Sequence, residues 1–134
     1  MEREQENSKL EAEIPAPTTP ITILLVDDTH EARFITKMFL ANFGFIVHSF
    51  SCAEDALTHF DARVHDLVVT DNAMAGMTGE EMAHVIKMRS PSTPVVMYSG
   101  RVPADCSCLD SIVLRPASLD ALKDAVDKLL ARPN

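Results

Sequence analysis

Five residues of this chain have types and positions that bear on chemistry as a group: Asp27, Asp28, Asp71, Ser99 and Arg115. Asp27 and Asp28 follow the apolar run ILLV directly. Asp71 follows LVVT, Ser99 follows PVVMY, and Arg115 follows SIVL with Pro116 behind it. A run that buries its side chains should not end on two adjacent carboxylates without a compensating cation. Like charges repel, and desolvating them costs several kcal/mol. Oxygen-rich acidic groups select hard cations: Mg2+ takes one or two carboxylates, some waters and a substrate phosphate, and Mn2+ suits the same donors. Ser99 offers a hydroxyl to a phosphoryl oxygen, and Arg115 a guanidinium. With metal and guanidinium engaged, an aspartate can act as a nucleophile toward phosphorus and carry an acyl phosphate. Asp71, alone at the end of its run, is the best placed.

These residues meet only if the intervening chain brings the ends of the apolar runs together. From Ile21 the sequence alternates. ITILLV (21–26) is apolar on both faces, as a buried parallel strand requires. The spacing predicts a helix over 30–44 that places Phe34, Ile35, Met38 and Phe39 on one face, with Gly44 as its stop. FIVHSF (45–50) reads as a second strand. SCAEDALTHF (51–60) reads as a helix opened by Ser51 and Glu54 at capping-box spacing. HDLVVT (65–70) is a third strand. A helix over 78–90 opens with the capping pair Thr78 and Glu81 and carries Met82, Val85 and Ile86 as a stripe. Strands follow at 94–98 and 111–114, then a helix over 118–132 with Leu119, Leu122, Val126 and Leu129 on one face. The alternation predicts a doubly wound α/β fold: a five-stranded parallel sheet with helices on both faces and right-handed crossovers. In such a sheet all five chemical residues emerge at one edge, beyond the strand C-termini, where ligands bind.

The remaining sequence sets bounds. The chain has 134 residues, enough for one core, and 46% of them are hydrophobic. A net charge of −8 gives no basic footprint for nucleic acid. The apolar runs are far too short to span a bilayer, and the charged N-terminus is no signal peptide, so the expected compartment is the cytoplasm. Residues 1–20 hold five glutamates and three prolines and read as a flexible acidic tail, at most with a frayed helix over 2–13. Cys52, Cys106 and Cys108 read as reduced thiols; none has metal-ligand or CxxC spacing.

The motifs VDD (26–28), DNAMAGMTG (71–79), YSG (98–100) and LRP (114–116), taken together, resemble the receiver domain of bacterial two-component response regulators. The resemblance covers residues 21–132. It implies the strand order 2-1-3-4-5. It implies that Asp71 accepts a phosphoryl group from a phosphohistidine, on a sensor histidine kinase or a histidine phosphotransfer protein. Asp28, Asp71 and the backbone carbonyl of Ala73 would ligate Mg2+, with Asp27 acting partly through water. Ser99 and Arg115 would engage the phosphoryl group, and the Arg115–Pro116 bond would be cis. Ala73 and Arg101 would modulate dephosphorylation.

Four departures stand against that pattern. Arg115 occupies the position of a lysine, and keeps the charge in a planar, longer form. Ile112, expected to be buried, stands where a switching tyrosine or phenylalanine is usual. Ala75 replaces a proline after Asp71. Only about eleven residues connect strands four and five, near the minimum for a parallel crossover, so the fourth helix of the family is expected to be short or missing.

Three functions compete. The first is a phosphoacceptor signalling domain, not an enzyme in its own right, that relays its state to an unknown downstream protein. The chain ends soon after its last helix, and Met1 with the tail favours a single-domain regulator over a receiver cut from a longer protein. The second is a pseudo-receiver that binds partners without phosphorylation, motivated by Arg115 and Ile112. The third, an aspartyl phosphatase, is disfavoured because its carboxylates follow strand one as D-x-D and project the same way. His30, His48, His59, His65 and His84 show no metal spacing, and Met74 and Met77 read as loop packing.

Overall fold

The computed structural model describes residues 20–131. Most of the expected tail, including its 2–13 helix, lies outside them, as does Arg132. Five strands and four helices follow one another: β1 (Thr22–Val26), α1 (His30–Ala41), β2 (Ile46–Phe50), α2 (Ala53–His59), β3 (Leu67–Thr70), α3 (Gly79–Arg89), β4 (Val95–Ser99), β5 (Ser111–Leu114) and α4 (Leu119–Leu130). The strands form one parallel sheet in the order β2-β1-β3-β4-β5. The chain reverses direction of growth at β1, so the loops after β1 and β3 flank a crevice at the C-terminal edge.

Side-chain alternation along the strands builds one core on each face. Ile23, Leu25, Val69, Val96 and Tyr98 pack with Leu40 of α1 and with Leu122 and Val126 of α4. Leu24, Val26, Val68 and Val95 pack with Ala56 of α2 and with Met82 and Ile86 of α3. The stripes expected on α3 and α4 therefore face the sheet. At about 25 cal/mol per Å2, each fully buried Leu, Ile or Met contributes roughly 2 kcal/mol against chain entropy.

The helix starts differ from one another. At α3, Thr78 accepts from the Glu81 amide (3.1 Å) and Glu81 accepts from the Thr78 amide (2.9 Å), so the expected capping box forms. At α2 it does not. Cys52 is the N-cap, with no side-chain cap, and Glu54 instead accepts from the Met77 amide at 3.0 Å. That contact ties α2 to the loop beyond Asp71.

On α1 the core-facing residues are Thr36 and Leu40, four apart. This rotation leaves Phe34, Ile35 and Met38 of the expected stripe more than half exposed, and only Phe39 packs inward. The helix ends at Ala41, three residues before the positive-φ Gly44.

Residues 100–110 join β4 to β5 without a helix. β5 is an edge strand; its Val113 packs against α4, while Ile112 and Leu114 belong to neither core. Ile112 is consequently half-buried, not buried as expected, and Leu114 is 39% exposed.

Candidate functional site

The C-terminal edge of the sheet brings the five singled-out residues together. Asp27, Asp28 and Asp71 each offer a carboxylate oxygen, all within 4.8 Å of one another. Asp27 is buried, Asp71 half-buried and Asp28 exposed. A cleft of about 550 Å3 opens beside them, lined among others by Asp71, Ala73, Ser99, Arg101 and Arg115. Ser99 is buried at the end of β4, where its hydroxyl faces the Arg101 amide at 3.4 Å. The Arg115–Pro116 peptide is cis.

Two of the aspartates, Asp27 and Asp71, are each held by a backbone amide of their own loop. Asp27 accepts from the Thr29 amide at 3.0 Å, closing the turn into α1. Arg33, one turn into that helix, donates to the Asp27 backbone carbonyl at 2.8 Å. His30 sits beside Arg33 at 3.2 Å and, among the described residues, makes no hydrogen bond to the aspartates. Asp71 accepts from the Asn72 amide at 2.8 Å through Oδ1. Burial pushes the Asp71 carboxyl above the usual carboxylate range, and the charges of Asp27 and Asp28 push it further; the Asn72 amide and Arg115 oppose them.

Part of the cation demanded by the aspartate pair comes from within the chain. Arg115 Nη2 donates to Asp27 Oδ2 at 2.8 Å, and its guanidinium lies 4.5 Å from the centre of the Tyr98 ring. Burial works against the arginine's charge, but the Asp27 hydrogen bond and the carboxylates around it more than offset this and raise its pKa. Nη2 is thereby taken, and the other guanidinium N–H groups remain for a ligand.

Several residues that hold this site were not singled out from sequence. Glu80 accepts from the Asn72 side chain at 2.8 Å and from the amides of Ala104 (3.1 Å) and Asp105 (3.0 Å). One carboxylate thus joins the residue after Asp71 to the crossover wall of the cleft. Gly79 lies so close to the Asp71 carbonyl that a Cβ there would collide with it. Asp110 accepts from Lys87 and from the Val95 amide, both at 2.7 Å, and anchors the other end of the crossover.

Residues 23–108 match the family model described as response regulator receiver domain. The chain belongs to that family. Receiver domains are signalling domains, and an acidic pocket of this kind is their Mg2+ site. This receiver domain is 30% identical over 114 residues to the autoinducer 1 sensor kinase/phosphatase LuxN of Vibrio campbellii, covering 81% of this chain and 13% of that protein. It is 26% identical over 112 residues to the C4-dicarboxylate transport transcriptional regulatory protein DctD of Rhizobium meliloti, covering 84% of this chain and 22% of DctD. It therefore spans only a fraction of these relatives' lengths. Among solved structures it resembles the response regulator TrrA of Thermotoga maritima in complex with Mg2+–BeF. The TM-score is 0.76 and the identity 27%, over 81% of this chain and 98% of that one. Among the described residues, no helix is long and apolar enough to cross a membrane.

Proposed function

We propose that this receiver accepts a phosphoryl group on Asp71 from the phosphohistidine of a sensor histidine kinase or a histidine phosphotransfer protein, in the cytoplasm, and relays the change through protein contacts. The observation that carries the reading is the convergence of three carboxylates, a buried hydroxyl and a guanidinium at one sheet edge. The donor set fits a hard divalent cation, because all its convergent ligand atoms are carboxylate oxygens. Asp28, Asp71 and the Ala73 carbonyl would hold Mg2+, with Asp27 acting through water, and the ion would supply charge neutralisation for the incoming phosphoryl oxygens.

The chain's own residues do the rest. The Asn72 amide fixes Asp71 through Oδ1, which leaves the second oxygen to bond phosphorus as the phosphohistidine P–N bond breaks and the imidazole keeps the electron pair. Ser99 and the free N–H groups of Arg115 bond phosphoryl oxygens. Ala73 and Arg101, exposed at the cleft, bear on the approach of water that removes the group. The test is intact mass after incubation with Mg2+ and acetyl phosphate, with Asp71→Ala alongside. A metal-dependent gain of one phosphoryl group, absent in the variant, is expected.

The engagement of Arg115 by Asp27 favours one competing reading, a pseudo-receiver acting as a phosphorylation-independent interaction module. No mass gain, together with failure to bind Mg2+ and beryllofluoride, would select it.

A further inference from the structure

A second cluster lies on the far side of the crossover, where α3 meets residues 105–108. Cys108 Sγ is 3.3 Å from His84 Nδ1, and His84 Nε2 is 2.8 Å from Asp105 Oδ2. The thiol and the carboxylate therefore address opposite nitrogens of one imidazole. This is not a metal-binding arrangement, whose donors would converge on one point. Among the described residues only Asp27, Asp28 and Asp71 converge in that way. It is the geometry of a nucleophile, its base and the group that orients the base.

The protonation pattern follows from the partners. The Ser107 amide donates to Asp105 Oδ1 at 2.9 Å; the Ser107 side chain, this amide and His84 hold the Asp105 carboxyl down at about 2. An ionised Asp105 accepts from Nε2–H, so Nδ1 presents its lone pair to the thiol. The other charged groups nearby are engaged elsewhere. Glu80, four residues before His84, holds the Ala104 and Asp105 amides, and Lys87, three residues after it, holds Asp110.

The helix-less crossover creates the cluster. It runs close enough to α3 to set Asp105 and Cys108 on the outward-facing His84. Cys108 is half-buried and stays reachable, whereas Cys106 is exposed and only donates to the Pro103 carbonyl at 3.6 Å. The two thiols thus form an internal comparison, the more exposed one lacking a base.

We propose that Cys108 is a reactive thiol that exchanges with small disulfides, with His84 as its base and Asp105 as the positioning residue. The thiol proton passes to His84 Nδ1. The thiolate attacks one sulfur of a low-molecular-weight disulfide; the Cys108–S bond forms as the S–S bond breaks. The departing thiolate takes the proton from His84 and leaves as a free thiol. Atoms and electrons balance with the disulfide as the sole co-reactant.

The experiment uses two single-thiol proteins: one retaining Cys108 (Cys52→Ser, Cys106→Ser) and one retaining Cys106 (Cys52→Ser, Cys108→Ser). Each is reacted with an aromatic disulfide and with oxidised glutathione, and followed by thiol release and intact mass over about pH 5 to 9. The Cys108 protein is expected to react roughly tenfold or more faster near neutrality, with its pH profile displaced to lower pH. His84→Gln should abolish the advantage. Asp105→Asn, a change at an exposed side chain that spares the packing, should reduce it and move the profile upward. If Cys108 reacts no faster than the better exposed Cys106, or keeps its advantage in both variants, the proposal is wrong.

Discussion

Arg115 and Asp27 form an ion pair across the mouth of the sheet, 2.8 Å apart, between a carboxylate that is 2% exposed and a guanidinium that is 30% exposed. The arginine proposed to engage the phosphoryl group thus already neutralises one of the three aspartates. Removing it strands a buried carboxylate. Arg115→Ala should cost about 2 kcal/mol in urea denaturation with chelator present, below the roughly 3–5 kcal/mol of a fully buried broken pair because the arginine is partly solvated. Arg115→Lys should cost less. An alanine variant as stable as wild type would mean that solvent replaces the arginine without loss.

Asp71 gives the opposite sign. Burial and its acidic neighbours raise its carboxyl pKa in the fold, so the folded state binds more protons than the unfolded one between the ordinary carboxylate pKa of about 4 and the raised value. Stability contributed by this group is therefore lost as pH rises through that window and stays lost at neutrality. Asp71→Asn should raise Tm by a few degrees at neutral pH without divalent metal, and the gain should shrink in acid. Mg2+ should narrow the difference by stabilising wild type. A variant less stable than wild type under chelation would refute this.

Glu80 holds three donors from two segments. Glu80→Ala should lower stability by about 1–2 kcal/mol and speed hydrogen exchange at the Ala104 and Asp105 amides selectively, while β1 exchange follows only the global change. Unchanged exchange at those two amides would show that the crossover holds itself.

Gly79 has no room for a side chain, because a Cβ would strike the Asp71 carbonyl. Gly79→Ala should cost about 1–3 kcal/mol and reduce phosphoryl uptake at Asp71, since relief requires moving the loop that carries it. Thr78→Ala next door removes a cap at the rim of the cleft and should cost about 1 kcal/mol, with phosphoryl uptake reduced less than in Gly79→Ala. Equal uptake in the two variants would separate Gly79 from the geometry of Asp71.

His48 and His65 hydrogen-bond through Nδ1 and Nε2 at 3.0 Å, and His65 Nδ1 also accepts from the Asp61 amide at 3.1 Å. Burial and the charge of His48 hold His65 below the ordinary imidazole pKa, against the pull of Asp61 and Asp66. The unfolded state then binds more protons just below about pH 6.5, so stability present above that pH is lost as pH falls. Between about pH 7 and 5 the urea midpoint should drop less steeply in His65→Gln than in wild type. Parallel slopes would place the acid sensitivity elsewhere.

Much of this protein is legible along the chain because its signals are local. Buried apolar runs, the Thr78–Glu81 spacing and the short crossover each act within one element or loop. Elsewhere sequence misleads for physical reasons. Ser51 and Glu54 have the capping spacing, but the Met77 amide outcompetes it for Glu54. The apolar stripe on α1 turns outward because Thr36 and Leu40 fit the sheet. The strand-end residues were identifiable because a parallel sheet sends them all to one edge. Their supports were not. The Ala104 and Asp105 donors lie 24 and 25 residues from Glu80, and Arg115 lies 88 from Asp27. No periodicity reports such distances.

The shared carboxylate of Glu80 makes the two walls of the Asp71 cleft partners in a thermodynamic exchange. Coupling between equilibria runs equally in both directions. Whatever draws the 104–105 turn off Glu80 weakens its hold on Asn72, and whatever steadies Asn72 steadies the turn in equal measure. A receiver without the usual helix at this edge therefore keeps a two-way lever there, with a single side chain as its fulcrum.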